Sequence, residues 1–166
     1  MTATADGWLP ALVTLGEYGG DWGRYLDVLY DCFCADFVNN VPAIPGKRFA
    51  LKRYPELEGK AATFWHLISE GKTEIERIPD LRRCERIRWP RPMIDCYTGG
   101  QLKWWISERR RNEERVVIAL DDFSYIVVLA DRGEYVMLWT AYCIEYEHRR
   151  RKLQKEYEQY WQNQKS

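Results

Sequence analysis

The run of residues 63–95 concentrates side chains that could handle a phosphodiester. It contains His66, one of only two histidines in the chain. Five arginines then fall within ten positions: Arg82, Arg83, Arg86, Arg88 and Arg91. An imidazole exchanges a proton near neutral pH because its unperturbed pKa is about 6.5, and a guanidinium group binds phosphate through two parallel hydrogen bonds. These residue types predict an anion-binding surface beside a proton-transfer group.

Both features of this run also have a simpler interpretation. His66 lies between Trp65 and Leu67 and could be a half-buried histidine that only packs. The arginines could form a solvated helix face in which Glu85 is an ion-pair partner. Arginine is used almost to the exclusion of lysine, which favours phosphate binding because the planar guanidinium suits bidentate recognition. The further nucleic-acid contacts predicted in this half of the chain are Lys52, Arg82, Trp89 and Arg91.

A hydroxyl and a phenol lie close together further along the chain, at Thr140 and Tyr142. Side chains two residues apart in a strand point to the same face, so both belong to one face of a predicted strand. If they are buried, both need hydrogen-bond partners, and they could then bind a phosphate or donate a proton. They could equally be ordinary core residues of a sheet.

Formal charges are balanced overall but not along the chain. The chain has 25 basic and 25 acidic residues, and a net charge of zero argues against general coating of nucleic acid. Residues 1–40 carry one basic side chain, Arg24, against six acidic ones. Residues 148–155 carry no acidic side chain and five basic ones: Arg149, Arg150, Arg151, Lys152 and Lys155. Because local patches set the field that a ligand meets, we predict Arg149 and Arg150 as nucleic-acid contacts.

Hydrophobic periodicity predicts two helices in the first half. Residues 21–39 repeat apolar side chains every three or four positions, with Asp21 as the N-cap. A second helix opens at Pro79 and ends before Pro90 and Pro92. The three-residue repeat predicts that these side chains face the core: Ile78, Leu81, Cys84 and Ile87. Residues 47–54 are typical of a short strand, and residues 63–69 fit either a strand or a helical turn.

The second half is typical of an antiparallel sheet followed by a basic helix. Apolar runs predict strands at residues 103–106, 115–120, 125–130 and 135–144, joined by short turns. Residues 147–162 return to helical spacing, with an apolar seam of Leu153, Tyr157, Tyr160 and Trp161. We therefore predict an α+β fold with N-terminal helices packed on a roughly four-stranded antiparallel sheet and a basic C-terminal helix. Residues 1–20 are predicted as a lead-in segment and residues 21–166 as one domain.

The motifs that the sequence lacks disfavour several classes of protein. The five cysteines are odd in number and contain no C-x-x-C pair, so we expect free thiols in a reducing cytoplasm, with no metal and no cofactor. We see no leader peptide and no apolar run near the ~18 residues that span a bilayer, so we expect no membrane association. Phosphate-loop, dinucleotide-binding, zinc-protease and nucleophile-elbow motifs are absent.

The order of the segments resembles that of a known superfamily. The segments are TFWHL, PDLRRCERIRW, YIVVL, YVMLWTAY and the basic HRRRKLQKEY. They resemble phage- and mobile-element-borne proteins of the barnase–EndoU–colicin–RelE-like ribonuclease superfamily, over roughly residues 47–160. The resemblance implies N-terminal helices on a four-stranded antiparallel sheet, and cleavage of RNA without a metal ion.

The resemblance also implies roles for the candidate residues. His66 would be the general base or acid. Thr140 and Tyr142 would orient the scissile phosphate or stabilise the transition state. The phosphate would be held by one or more of Arg83, Arg86 and Arg88. The reaction would be attack of a ribose 2′-OH on the adjacent phosphate, which leaves a 2′,3′-cyclic phosphate.

The predicted substrate is therefore RNA, and an inhibitor or antitoxin protein is a predicted partner in a toxin-like or phage-conflict role. The alternative is a non-catalytic nucleic-acid-binding or protein-interaction module. Such a module would use the same arginine face and exposed aromatic side chains such as Trp104 and Trp105. The sequence leaves the oligomeric state open.

Overall fold

A computed structural model describes residues 7–109 and 113–165 of the chain, so residues 1–6 of the predicted lead-in lie outside it. The described residues group into two units. Unit 1 comprises those of Met1–Pro42 and Leu51–Pro92, and unit 2 comprises those of Ala43–Ala50 and Met93–Ser166. Helices occur in both units and the main sheet lies in unit 2, which confirms the α+β class. The single domain over residues 21–166 stays a prediction.

The first helix of unit 1 forms where the apolar repeat predicts it. Helix α1 spans Trp22–Phe33, and the Asp21 carboxylate caps it by accepting a hydrogen bond from the Arg24 amide at 3.2 Å. The chain continues through a π-helical turn, Cys34–Val38. The buried stripe of these two segments consists of Tyr25, Leu26, Leu29, Phe33 and Phe37. This stripe anchors the helix in the core of unit 1 because it removes a broad apolar face from water.

The lead-in segment is tied to the arginine-rich region of the same unit. It contains a short 3-10 turn, Leu15–Tyr18. The Val13 amide donates a hydrogen bond to the Glu85 carbonyl at 2.9 Å. The Trp89 indole N–H donates to the Pro10 carbonyl, also at 2.9 Å. These bonds satisfy polar groups of a segment that has little regular structure of its own.

The rest of unit 1 is built from short elements. Helix α2 spans Ala62–Ile68, which resolves the ambiguity of residues 63–69 in favour of a helix. Strand β2, Ser69–Glu70, pairs antiparallel with β3, Ile78–Pro79. Helix α3 spans Leu81–Glu85, and helix α4 spans Pro90–Cys96, of which residues 90–92 belong to unit 1 and residues 93–96 to unit 2. The loop between β2 and β3 therefore returns the chain to the end of α2.

Two predictions for this region are wrong. The helix predicted from Pro79 begins only at Leu81, because residues 78 and 79 are extended and pair with β2. Ile78 is consequently 69% exposed and Leu81 48% exposed, whereas Cys84 and Ile87 are buried as predicted. Helix α3 ends at Glu85, before Pro90 as predicted, and Pro90 begins a further helix, α4, that the sequence pattern does not predict. Proline suits the first helical position because the amide that it lacks has no intrahelical acceptor there.

Unit 2 contains a five-stranded sheet. Four strands form the predicted antiparallel meander: β4 Lys103–Arg109, β5 Glu113–Ala119, β6 Tyr125–Asp131 and β7 Tyr135–Cys143. The fifth strand, β1, is Arg48–Ala50 and pairs parallel to β7. Only three residues of the predicted strand 47–54 join the sheet, so the sheet is larger than four strands by one short edge strand.

Helix α5, Glu147–Gln164, covers part of this sheet. Leu153, Tyr157 and Tyr160 pack against a buried cluster that includes Trp105 and Phe123, which confirms the predicted apolar seam. Trp105 is 1% exposed, so it is a core residue and not the exposed aromatic side chain that the binding-module alternative expects. The Trp161 indole N–H donates to the Trp104 carbonyl of edge strand β4 at 2.6 Å. The aromatic seam thus supplies both the core and an edge contact of unit 2.

The structure also bears on the thiols and on membranes. All five cysteines are free, as the sequence predicts. No helix in the described residues combines the length and the apolar character needed to cross a bilayer.

The aromatic seam predicts a strong stability effect at Tyr157. Its ring lies 5.9 Å from the ring centroids of both Trp105 and Phe123. We expect Tyr157→Ala to lower the free energy of unfolding by roughly 2–3 kcal/mol, because a partly buried ring loses less than the ~3–5 kcal/mol of a fully buried one. Urea unfolding followed by circular dichroism measures this. Lys155→Ala on the exposed face of α5 should change it by less than ~0.5 kcal/mol, and equal effects of the two substitutions would contradict the proposed packing.

Candidate functional site

His66 and Glu74 form a hydrogen-bonded pair in unit 1. His66 occupies the last turn of α2, and its side chain is 16% exposed. Its Nε2 lies 2.9 Å from Oε1 of Glu74, which is in the loop between β2 and β3. The Glu74 side chain is 43% exposed. One partner is thus largely shielded from water, whereas the other reaches the surface.

Burial is the main influence on the protonation of His66, and the hydrogen bond between the two side chains is the main influence on that of Glu74. Burial lowers the pKa of His66, and the nearby charges of Arg77 and Lys52 lower it further, whereas the hydrogen bond to Glu74 opposes them. The same hydrogen bond lowers the pKa of Glu74. At neutral pH the pair is therefore a neutral imidazole beside a carboxylate. A neutral ring that donates its Nε2 proton to Glu74 has Nδ1 as its basic atom.

Two guanidinium groups bind the end of α2. Arg83 Nη1 donates to the carbonyls of His66 at 3.1 Å and Ser69 at 2.9 Å. Arg77 Nη2 donates to the Ser69 carbonyl at 2.6 Å, and its Nε donates to Ser69 Oγ at 2.9 Å. The last carbonyls of a helix have no intrahelical donor, so these arginines complete the helix end. Arg83, predicted to hold a phosphate, also makes these main-chain contacts with a side chain only 12% exposed.

Gly71 allows the loop to bring Arg77 to this position. Its φ of +157° lies at the edge of the region that side chains avoid, and a Cβ there would be 2.8 Å from the Arg77 Cα atom. A residue with a side chain at position 71 would push the backbone of Arg77 away from residue 71. The close approach of the two backbones therefore depends on glycine.

The other predicted residues of the arginine run differ in accessibility. Arg86 lies over the Trp89 ring, with 5.0 Å between its guanidinium carbon and the ring centroid. Arg91 Nη1 donates to the carbonyls of Asp36 and Asn40. Trp89 is 6% exposed, so its ring is available to a nucleic acid only if the side chain moves. The side chains that face solvent in this set are Lys52, Arg82 and Arg88.

The predicted residues of unit 2 lie on β7 and α5. Thr140 and Tyr142 are paired with Val128 and Ile126 of β6, so they share one face of the sheet as predicted. Tyr142 is half-buried and packs against the cluster that α5 covers. On α5, the Arg149 side chain is exposed, whereas Arg150 Nε donates to the Ile144 carbonyl at 2.9 Å.

The candidate residues thus divide between the units: His66 and the arginine run belong to unit 1, and the β7 and α5 residues belong to unit 2. That the two groups act on one substrate stays a prediction. Sequence reasoning missed Glu74 and Arg77, which complete the unit 1 site. A signal for them is the break at residues 70–72, since a hairpin there folds the following residues back onto α2.

A surface pocket of about 380 Å³ lies beside the pair in unit 1. Its apolar lining consists of Pro55, Leu57, Trp65, Ile75 and Pro79. Its polar lining consists of Glu56, Ser69, Glu74 and Arg77. The described residues contain no group of three or more His, Cys, Asp or Glu side chains that could hold a metal ion. The pocket and the His66–Glu74 pair share the Glu74 carboxylate.

Comparisons with protein-family models, with curated proteins and with solved structures find no match to this chain. Membership of the ribonuclease superfamily named above therefore stays a prediction. Chemically, unit 1 offers a neutral imidazole held in one orientation by a carboxylate, next to fixed positive charge. Such a pair can accept a proton and stabilise the imidazolium that results.

Removal of the Glu74 carboxylate tests this electrostatic account. The hydrogen bond to Glu74 is an interaction that raises the pKa of His66, so Glu74→Ala should lower that pKa further. NMR measures the His66 pKa from the imidazole resonances. The titration runs from pH 4 to about 8, which spans the usual imidazole pKa of about 6.5. Glu76→Ala, in the same loop, is the control and should leave the titration in place. A rise of the His66 pKa in Glu74→Ala would contradict the pairing.

Proposed function

We propose that the protein is a metal-independent endoribonuclease whose proton-transfer group is His66. The observation that carries this proposal is the 2.9 Å hydrogen bond between His66 Nε2 and Glu74 Oε1. A histidine that only packs does not need a carboxylate, whereas a general base benefits from one that orients the ring and stabilises its protonated form. RNA is the substrate in this proposal, and an inhibitor protein and a cytoplasmic location belong to it as well.

The proposed reaction needs a base, an acid and a positive charge. Nδ1 of neutral His66 takes the proton of a ribose 2′-OH, and the 2′ oxygen attacks the adjacent phosphorus. The bond from phosphorus to the 5′ oxygen breaks, and that oxygen takes a proton from the acid, for which Tyr142 is the candidate. The products are a 2′,3′-cyclic phosphate and a 5′-hydroxyl. Each well-placed proton carrier contributes roughly 10²-fold or more to such a reaction.

Among the proposed phosphate ligands, Arg88 has the most accessible side chain. Arg83 and Arg86 remain in the proposal as phosphate ligands. Arg83 also donates to a main-chain carbonyl, and Arg86 donates to a main-chain carbonyl and lies over Trp89, so both are better suited to stabilise the site than to bind the phosphate directly. Thr140 is proposed to orient the phosphate from β7. The positive charge near the reacting group would stabilise the negative charge that develops in the transition state.

A nucleic-acid-binding module without catalysis is the second candidate. It is favoured by the exposed basic side chains Arg149, Lys152 and Lys155 in the first half of α5 and by an exposed aromatic pair at the start of this helix. That pair is Tyr146 and His148, whose ring centroids are 5.7 Å apart in a stacked arrangement. Basic and aromatic side chains together bind single-stranded nucleic acid through the phosphates and the base faces.

RNA cleavage with and without His66 separates the two candidates. Purified protein in EDTA should cut labelled RNA, and His66→Gln should lower the rate by ~10²-fold or more because the proton acceptor is lost. His148→Gln, which changes the other histidine, should retain the parent rate. Products analysed by mass spectrometry should end in 2′,3′-cyclic phosphate.

The pH dependence follows from the direction of the His66 pKa. A base must be unprotonated, so the rate should fall as the pH decreases through a pKa that burial holds below the usual value of about 6.5. Binding of RNA without cleavage by both the parent and His66→Gln would replace this proposal with the binding module.

The contribution of unit 2 is tested by removing one hydroxyl. Tyr142→Phe keeps the ring that packs on the sheet and deletes only the proposed acid, so we expect a ~10²-fold loss of rate. Tyr135→Phe removes a hydroxyl from the same strand and should leave the rate within about twofold. If the two variants cleave RNA equally well, Tyr142 takes no part in the reaction and the site lies in unit 1 alone.

A further inference from the structure

The pocket beside Glu74 exposes apolar side chains that a folded protein usually covers. Ile75 is 97% exposed and Leu57 57% exposed, and both line the pocket with the Trp65 indole. Tyr54 and Ile78, which adjoin the lining residues in sequence, are 65% and 69% exposed. Single exposed apolar residues are ordinary, but several around one concave surface are typical of an interaction site.

The charged groups that line this pocket are two carboxylates, Glu56 and Glu74, and one guanidinium, Arg77. The Arg77 guanidinium donates to the carbonyls of Ser69 and His66 and to Ser69 Oγ, so its hydrogen-bonding capacity is largely used within unit 1. Glu74 has one carboxylate oxygen in the bond to His66, a neutral partner at neutral pH, and its side chain is 43% exposed. A ligand therefore meets an apolar cavity with an accessible carboxylate at its wall.

We propose that this pocket docks an apolar side chain of a protein partner, and that a lysine or arginine adjacent to it in the partner binds Glu74. Apolar walls favour an aliphatic or aromatic side chain, which loses its contact with water on entry. The carboxylate favours a cationic neighbour and opposes the phosphates of a nucleic acid. The charge complementarity selects a basic protein segment over RNA as the occupant.

The docking proposal does not rest on the proposed ribonuclease activity, although both involve Glu74. Docking uses the pocket face of Glu74 and the apolar residues of the 71–77 and 54–57 segments, and it needs no chemistry at His66. If the protein binds such a segment but cuts no RNA, the docking proposal stands and the proposed function fails. If the protein cuts RNA but does not bind such a segment, the docking proposal fails and the proposed function stands.

A peptide library displayed on phage identifies the preferred sequence directly. Random heptapeptides are selected on the full chain after depletion on Ile75→Asp, which changes a side chain that is 97% exposed. We expect enrichment of one large apolar residue with lysine or arginine beside it. Enrichment of acidic peptides, or no enrichment over the depleted library, would overturn the proposal.

Binding of the selected peptide by calorimetry then tests the named residues. Ile75→Asp should weaken peptide binding and raise the dissociation constant ~10-fold or more, which is the effect of losing one buried aliphatic contact. Glu74→Gln should weaken it several-fold, and the loss should shrink at high salt as the charge contribution is screened. Val41→Asp, at an exposed apolar residue elsewhere in unit 1, is the matched control and should bind within about twofold of the parent. Circular dichroism confirms that each variant is folded.

Three results would overturn this assignment. One is equal weakening by Val41→Asp and Ile75→Asp. Another is displacement of the peptide by a single-stranded RNA oligonucleotide that itself binds more weakly to Ile75→Asp than to the parent. The pocket would then bind RNA. A third is self-association of the parent chain in sedimentation that Ile75→Asp abolishes, since the occupant would then be a second copy.

Discussion

The end of α2 leaves main-chain carbonyls without helical donors, and unit 1 is arranged around satisfying them. The chain passes from helix to strand within one residue, between Ile68 and Ser69, so no glycine cap or extra turn can supply the missing donors. Arg77 and Arg83 donate instead. A buried carbonyl without a partner costs about 1–3 kcal/mol, so these bonds hold both the loop and α3 to the helix end.

That arrangement has opposite effects on the two chemical roles predicted for the region. It places Glu74 against His66, because the loop that carries Arg77 also carries the carboxylate. It also occupies guanidinium N–H groups of Arg77 and Arg83 with main-chain carbonyls, so fewer of these donors are available to a phosphate. Positive charge still acts through space on the imidazole and lowers its pKa, so Arg77 contributes to the protonation of the site while it binds main-chain carbonyls.

The parts of the fold that follow from local pattern are predictable from the sequence. The meander of unit 2 follows from β-branched runs and short turns, and the start of α1 follows from Asp21 and the apolar repeat. The same repeat wrongly predicts that Ile78 and Leu81 are buried. Residues 78 and 79 pair with β2 instead of starting the helix, and this pairing exists only in the folded hairpin.

The candidate site shows the same limit. His66 and the arginine run are evident from residue type and spacing, but the partners of a guanidinium depend on which carbonyls the fold leaves without donors. Period and charge count cannot reveal these. The partner of His66 comes from a loop without periodicity, so sequence reasoning identifies the imidazole and misses Glu74, the carboxylate that gives the ring its orientation.

Glu74 couples the two surfaces that share it. A cation bound at its pocket side stabilises the carboxylate and repels an imidazolium, so occupancy of the pocket would favour the neutral form of His66. Linkage is reciprocal, so protonation of His66 would weaken the affinity of the pocket for a basic segment by the same factor. Binding and proton transfer would thus communicate through one carboxylate and the 2.9 Å hydrogen bond.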